Sequence, residues 1–441
     1  MRFLLINPTA PYWQVKCGTS PRKSTQIFRF SMLSSLYVAA AAPPGFDTAI
    51  VDEEVEPIDF KDDADIVGIS YMTFNAPRAY EIADRFRSRG KTVIVGGYHP
   101  TMMPEEAAGH ADAVCIGEAE SNLPQMIDDF LHRRLQKFYR NAPCDLRNLP
   151  VPDRRLIKGG MYAPVDTVQA TRGCPNGCSF CSIAAFFDHK FRARPVDQVI
   201  DELAPLSRYL LFMDDNLTSD PEYAKELFGA MIPLRKRWFS QCSVKIAYDD
   251  ELLRLAVASG CRGLFLGLES LSDKNLQKWN KIQNNVRDYE WAVRKLHAAG
   301  IGVIAGIVFG YDADSMETFP KTLDFLLRCN VDALQATILT PFPGTPLYRE
   351  MLGQGRITDN DWAHYDFRHV VFEPKGMSHD ELRNGHDWVL DRFYARPTVG
   401  KRIWNEWRYL DLPTILKVTI PLNLSYRSRL RTDGTIASPL R

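Results

Sequence analysis

The sequence predicts an α/β protein in which a doubly wound, Rossmann-like unit is followed by a second run of βα units and a mainly helical carboxyl-terminal segment. Three observations carry this. Short apolar runs alternate with helix-period segments from Arg2 to about Arg140 and again beyond Thr167, the pattern of βα units whose strands pair in parallel. Between Asn141 and Asp166 the stretch NAPCDLRNLPVPDRRLIKGGMYAPVD has four prolines and no periodicity, and so reads as a linker. Directly after the first strand of the second run, three cysteines share one short loop. The expected boundaries are 1–140, 141–166, 167–350 and 351–441.

In the first unit, strands are expected at Arg2 to Asn7, Thr48 to Val51, Asp65 to Ser70, Thr92 to Val95 and Ala113 to Ile116. Helical segments such as Ala79 to Phe86 and Leu123 to Leu131 lie between them. Ligands of a doubly wound sheet bind outside the carboxyl ends of its strands, near the switch point. Those ends carry Asn7-Pro8-Thr9, Ser70-Tyr71-Met72-Thr73, Gly96-Gly97-Tyr98-His99-Pro100-Thr101 and Gly117-Glu118-Ala119-Glu120. A glycine pair lets a flat ligand approach the backbone, although glycines at strand ends also serve as plain turn residues.

In the second run, strands are expected at Thr167 to Ala170, Tyr209 to Met213, Ser243 to Ala247, Gly263 to Gly267, Gly302 to Phe309 and Ala333 to Leu339. Asp220-Pro221-Glu222 reads as a helix N-cap with Pro at the first turn, followed by Ala224, Leu227, Phe228 and Met231 on one face. Gly260 and Gly300 stand where helix C-caps belong.

Cys174, Cys178 and Cys181 stand in TRGCPNGCSFCS, a C-x3-C-x2-C spacing close enough for three thiolates to reach one metal centre. Structural zinc takes four closed ligands and a ferredoxin-type cluster takes four thiolates, so three in one loop suggest a 4Fe-4S cluster with one open iron. A zinc site completed by a distant His and a disulfide framework are the alternatives. Nine cysteines is an odd number, and Cys17, Cys115, Cys144, Cys242, Cys261 and Cys329 are scattered, which fits reduced thiols better than a disulfide scaffold.

With Phe180 before its last cysteine, the pattern C-x3-C-x-aromatic-C resembles the cluster loop of the radical S-adenosylmethionine (SAM) superfamily. That resemblance implies a partial (β/α)6 barrel, a cluster on the three cysteines and SAM chelated at the open iron. By the same analogy Asp214-Asp215-Asn216 meets the SAM amino group and Glu269 the ribose, while Lys245 pairs with the carboxylate or is simply solvated. Gly302, Ile304 and Gly306 match a G-x-I-x-G pattern that backs the adenine. The loop Leu339 to Pro346 faces the substrate or is a rigid turn.

The order S-x-x-T, GG-x-H-P-T and GE-x-E in the first unit resembles the cobalamin-binding domain that precedes the barrel in one large radical SAM subfamily. This implies a nucleotide tail against Ser70, Gly96 and Gly97. The loops of Tyr71, Met72 and Thr73 and of Gly117 and Glu118 would lie near the corrin, in the neighbourhood of Asn7, Tyr98 and His99. None of the nine histidines stands in D-x-H-x-x-G, so no His ligand to cobalt is expected. A flavodoxin-like domain without cofactor is the alternative.

The function so implied is a cobalamin-dependent radical SAM enzyme that methylates an unactivated carbon. The other readings are a non-methylating radical rearrangement, cyclisation or oxidation, and a non-enzymatic Fe-S redox protein. The expected partners are a small-molecule or lipid substrate and an external electron donor of flavodoxin or ferredoxin type.

Composition sets the outer bounds. The 441 residues are 45% hydrophobic and 24% charged with zero formal net charge, so no global field draws the chain to nucleic acid. No apolar run reaches membrane-span length, and a cytoplasmic protein is expected. Residues 392–441 are locally basic, with Trp404, Trp407 and Tyr409 among ten Lys and Arg. Such a segment packs with a solvated face or touches a membrane surface.

Overall fold

The computed structural model describes residues 1–10, 14, 15 and 29–432; Cys17, Asp433 and Arg441 lie outside the described residues. By its contacts the chain divides into two units. The first comprises Met1–Ala163, Phe342–Arg349 and Asn360–Asp366, and the second Pro164–Pro341, Glu350–Asp359 and Phe367–Arg441.

The first unit is built on six parallel strands: β1 (Arg2–Asn7), β2 (Asp47–Asp52), β3 (Ile66–Ser70), β4 (Thr92–Gly96), β5 (Ala113–Cys115) and β6 (Phe138–Tyr139). Their order is β2-β1-β3-β4-β5-β6, so the switch point lies between β1 and β3. Both faces are covered, which is why these strands read as continuous apolar runs rather than alternating ones. Val67, Ile69, Val93 and Val95 pack with Ile82, Ala83 and Phe86 of the helix Ala76–Arg87. On the other face Phe3, Leu5, Ile66 and Ile94 pack with Leu36, Leu123 and Met126. The stretch expected as a linker packs with this unit up to Ala163, and Leu149 joins Leu33 and Tyr37 in a small apolar cluster.

In the second unit β7 (Asp166–Val168) is followed by a two-stranded antiparallel strap, β8 (Thr171–Arg172) with β9 (Arg192–Ala193). The main sheet continues with β10 (Tyr209–Phe212), β11 (Arg237–Cys242), β12 (Cys261–Glu269), β13 (Gly302–Phe309) and β14 (Ala333–Ile338). Its six strands are parallel in the order β14-β13-β12-β11-β10-β7. One face is sealed by helices: Phe212, Trp238, Leu264, Leu266, Val303 and Ala305 are each at most 2% exposed. The helix Pro221–Met231 shows how local chemistry sets these covers. The Asp220 carboxylate accepts from the backbone N–H groups of Glu222 and Tyr223, and Ala224, Leu227, Phe228 and Met231 are fully buried.

The third strand departs from expectation. It was placed at Ser243 to Ala247, but the strand is Arg237–Cys242, and Val244–Tyr248 is a 3-10 helix capped by the Ser243 hydroxyl. Lys245 is therefore an exposed helical residue rather than a strand residue. The edge strand β14 is shielded by the helix His379–Phe393, which starts with a capping box at Ser378 and Glu381. Just beyond that helix the Tyr394 hydroxyl accepts from Leu334 N at 2.9 Å and donates to Leu334 O at 2.8 Å.

Beneath the amino end of β14, Asp332 accepts from Val303 N, Tyr409 and His297. Glu406, fully buried and with neither carboxyl oxygen partnered, lies close enough to feel the Asp332 charge. Burial, and then the Asp332 charge, push its carboxyl up to about 9. The folded state thus holds a proton that the unfolded chain releases near the ordinary Glu range, and stability falls as pH rises between those two values. Thermal melting of the wild type is expected at a lower temperature at pH 9 than at pH 7. Glu406→Gln should flatten that difference, and an unchanged slope in the variant would refute the assignment.

Candidate functional site

The second unit gathers the cluster loop and its supports. Asp214, Asp215 and Asn216, at the end of β10, all turn toward this loop rather than toward open space. The Asp214 carboxylate accepts from Ala170 N, Thr171 N and the Thr171 hydroxyl, Asp215 accepts from Gly173 N at 2.8 Å, and Asn216 Nδ2 approaches Cys174 Sγ at 3.8 Å. Burial pushes Asp214 up to about 7 and Asp215 up to about 6, against the pull of those donors. Gly173 is fixed by space: its φ is +80°, and a Cβ would lie 2.0 Å from Lys190 O on the returning strap.

Asn176 Nδ2 donates to Cys174 Sγ at 3.3 Å and Gln283 Nε2 to Cys178 Sγ at 3.5 Å. Cys178 is buried, while Cys174 and Cys181 are half-buried. The eight described cysteines are all free, which removes the disulfide reading for them. Among the described residues no three His, Cys, Asp or Glu converge on a single ion. A cubane, by contrast, takes each thiolate at a different iron. Phe180 meets Tyr311 edge to face at 6.0 Å. The Tyr311 hydroxyl, Trp279 Nε1 and Gln283 Oε1, on residues that surround this loop, are buried without partners. Thiols that receive amide N–H groups, with orphaned polar atoms close by, fit a cluster and a polar ligand.

The sequence reading missed the segment Trp279 to Asn284. Asn280 Nδ2 donates to Gly177 O, Ser179 N to Trp279 O, and Lys281 Nζ pairs with Glu269 Oε1 at 2.8 Å. Glu269 is aimed there by the backbone. Its φ is +65° and the β12–β13 register slips between Gly267 and Glu269, folding the carboxylate back over Gly267. The Lys281 ammonium pulls down the Cys178 and Cys181 thiols that burial pushes up. The only sequence signal was a Lys with amides, W-N-K-I-Q-N, shortly after a strand end.

Phe239, Gln241, Phe265, Ile304, Val308, Gln335 and Thr337 alternate with the buried residues and leave the other face of the sheet half-open. Gly306 lies on that face, where a Cβ would come within 2.7 Å of the Phe265 ring. Its missing side chain therefore makes room for this aromatic.

In the first unit a narrow slot lies at the switch point, lined by Leu5, Val38, Gly68, Ser70, Gly96, Gly97, Cys115, Leu123 and Met126. Gly97 has φ +102°, and a Cβ there would stand 2.8 Å from Tyr71 O. At neighbouring strand ends Asn7 Nδ2 and Thr73 Oγ1 are buried without partners, although Asn7 Oδ1 accepts from Ser35. A bare-backbone slot bordered by orphaned polar atoms fits the tail of a large cofactor.

Not every expected contact points outward. His99 is fully buried, with Nε2 3.1 Å from the Tyr80 hydroxyl, which donates to Glu106, and Trp362 donates to the same carboxylate. Tyr71 packs edge to face on Tyr80, Met72 is half-exposed, and Glu118 accepts from Cys144 N. Gly117 has φ +89°, and its N–H donates to the Thr101 hydroxyl oxygen at 2.9 Å. The Tyr98 hydroxyl donates to Pro343 O at 2.7 Å, and Gly344 packs on Met102. The Pro-Gly loop after β14 thus joins the first unit beside Gly97.

A profile of the radical SAM superfamily matches residues 168–326, and one of the B12 binding domain matches residues 30–127. The bacteriochlorophyllide d C-12(1)-methyltransferase of Chlorobaculum tepidum is 33% identical over 386 residues, covering 84% of each chain. The chain belongs to the B12-binding branch of the radical SAM superfamily. Within it, the bacteriochlorophyllide d C-8(2)-methyltransferase of the same organism is 30% identical over 404 residues, 86% of this chain and 88% of that one. The structure of the radical SAM methyltransferase TsrM from Kitasatospora setae, with cobalamin and a [4Fe-4S] cluster, superposes with a TM-score of 0.65. It covers 94% of this chain and 89% of its own at 17% identity, a likeness of fold. This radical SAM enzyme is a cobalamin-dependent C-methyltransferase by family, and its cofactors are SAM, a 4Fe-4S cluster and cobalamin.

Proposed function

We propose that Cys174, Cys178 and Cys181 each hold one iron of the cluster and that the methyl acceptor is an unactivated carbon of a large apolar molecule, with a tetrapyrrole side chain the leading candidate. The observation that carries the site is the cluster loop itself, three thiols on a backbone held by Asp214 and Asp215 and flanked by the Lys281–Glu269 pair. The substrate class is supported by the two relatives that act on bacteriochlorophyllide d and by the aromatic open face at Phe239 and Phe265.

When bound, the cluster and SAM supply a radical that removes hydrogen from the substrate carbon, and cobalamin carries the methyl group that replaces it. The protein's own part is placement. Lys281, a cation beside the cluster loop, suits the SAM carboxylate, a role that the exposed Lys245 is less well placed to take. Glu269 fixes Lys281 and keeps a second oxygen for the ribose hydroxyls. Phe180 and Tyr311 keep water from the cluster side. In the first unit Ser70, Gly96 and Gly97 border the cobalamin tail, with Asn7 and Thr73 toward the corrin edge. His99 serves as support, since its ring lies in the Tyr80–Glu106–Trp362 network. An external one-electron donor of flavodoxin or ferredoxin type completes the reaction, and an apolar substrate would bring the enzyme to a lipid surface.

The test uses SAM with a trideuterated methyl group and a bacteriochlorophyllide-type acceptor. Methylation gives a product heavier by CD3 in place of H, with S-adenosylhomocysteine and 5′-deoxyadenosine in about equal amounts, one from each SAM. Turnover that yields 5′-deoxyadenosine alone, with no label in the product, would show that the radical is used without methyl transfer.

A further inference from the structure

Exposed apolar side chains gather near the carboxyl terminus. Trp404 is 73% exposed, Trp407 53%, Leu412 46%, Leu416 53% and Leu424 56%. Trp404 and Trp407 close the helix Arg396–Glu406, and the leucines lie on a helical run from Leu412 to Thr432 that passes through a π-turn at Ile415–Thr419. Leu412, Leu416, the half-buried Ile420 and Leu424 recur every four residues, so they form one stripe along that run.

The stripe cannot turn inward, because the other face is anchored. Ile415, Thr419 and Asn423 are buried. Asn423 Nδ2 donates to Asp332 O at 3.1 Å and Asn423 Oδ1 accepts from Arg402 at 2.6 Å. Asp411, at the start of the run, pairs with Arg237 and Arg262. The apolar face is therefore held outward by the same bonds that fix the helix.

Its charge selects the partner. From Arg396 to Ser428 the acids are Glu406, fully buried, and Asp411, already paired, whereas Arg396, Lys401, Arg408 and Lys417 are exposed. Exposed tryptophan and leucine in a segment whose exposed charged residues are all cationic is the composition of a helix that lies in the interface of an anionic bilayer. A second copy of this chain is a poor match, since it would bring these cations face to face. Among the described residues no helix is long and apolar enough to cross a membrane, so the contact is peripheral.

We propose that the face formed by Trp404, Trp407, Leu412, Leu416 and Leu424 docks this enzyme on an anionic lipid surface. The docking does not depend on methyl transfer being the reaction, and its test needs no turnover. The full-length protein is sedimented with sucrose-loaded vesicles of phosphatidylcholine alone, or of phosphatidylcholine mixed with phosphatidylglycerol. The protein should pellet with the mixed vesicles, stay in solution with the neutral ones, and leave the mixed vesicles in high salt, where the screening length falls to about 3 Å. Trp404→Ser/Trp407→Ser/Leu416→Ser should weaken vesicle binding about tenfold or more while its circular dichroism and cobalamin content match wild type. The proposal is overturned if neither vesicle pellets the protein, if neutral vesicles do so equally well, or if the triple variant binds as wild type does. A concentration-dependent dimer that the triple variant abolishes would assign the face to a second copy and would likewise overturn it.

Discussion

Replacing Cys174, Cys178 and Cys181 together by alanine is expected to remove the cluster and reduce 5′-deoxyadenosine formation to background. One cubane per chain gives about four irons in anaerobically reconstituted wild-type protein. In the triple variant iron should fall to near zero and the cluster's absorption, measured before cobalamin is added, should vanish, because alanine offers no ligand. Cobalamin binding should persist, since the first unit has its own two apolar layers around Val67, Ile69 and Val95 and around Phe3, Leu5 and Ile94. Cys242→Ala and Cys261→Ala are the controls. Both thiols are buried in the second unit, Cys242 at the end of β11 and Cys261 at the start of β12, and their loss should leave iron content unchanged. A triple variant that kept that absorption would refute the ligand assignment.

How far the sequence carried depends on what each signal measures. The strands of the first unit were legible because both sheet faces are covered, so β1, β3 and β4 are unbroken apolar runs bounded by turn residues. β6 was not, since two residues, Phe138 and Tyr139, carry no period. In β11 alternate positions face the open side, and Arg237, Ser240 and Gln241 dilute the apolar signal. The next apolar stretch, V-K-I-A-Y, mimicked a strand while folding as a 3-10 helix.

At the site, residue type was easier to read than direction. Asp214 and Asp215 were expected to face SAM because carboxylates suit an ammonium group, and in the structure they accept from backbone N–H groups of the cluster loop. Only tertiary structure decides between such donors. Lys281 was invisible for a related reason: its partner Glu269 is twelve residues away across a helix, and no local pattern joins them. The Pro343-Gly344 loop was assigned to the barrel by its place in the chain, whereas Tyr98 and Met102 hold it in the first unit.

Gly97→Ala is the second substitution expected to have a large effect. At φ +102° and ψ −164° the backbone of Gly97 lies in a region that side chains hardly enter, which costs about 1–3 kcal/mol before any contact is counted. The added Cβ would then stand 2.8 Å from Tyr71 O and 3.0 Å from Tyr71 N, backbone atoms of the adjacent strand end that a rotamer change cannot relieve. To separate them, the loop after β3 must move away from the loop after β4, and that movement distorts the rim of the slot at Ser70 and Gly97. The expected result is a loss of about 2–5 kcal/mol of stability together with failure to take up cobalamin. Gly90→Ala, in the turn before β4, is the matched comparison. Its φ is +76°, but a Cβ there meets nothing within 4 Å, so only backbone strain of about 1–2 kcal/mol is expected and cobalamin should still bind. Thermal melting and cobalamin content after reconstitution read both variants. Gly97→Ala protein that bound cobalamin as wild type does would show that the end of β4 does not form the wall of the cobalamin site.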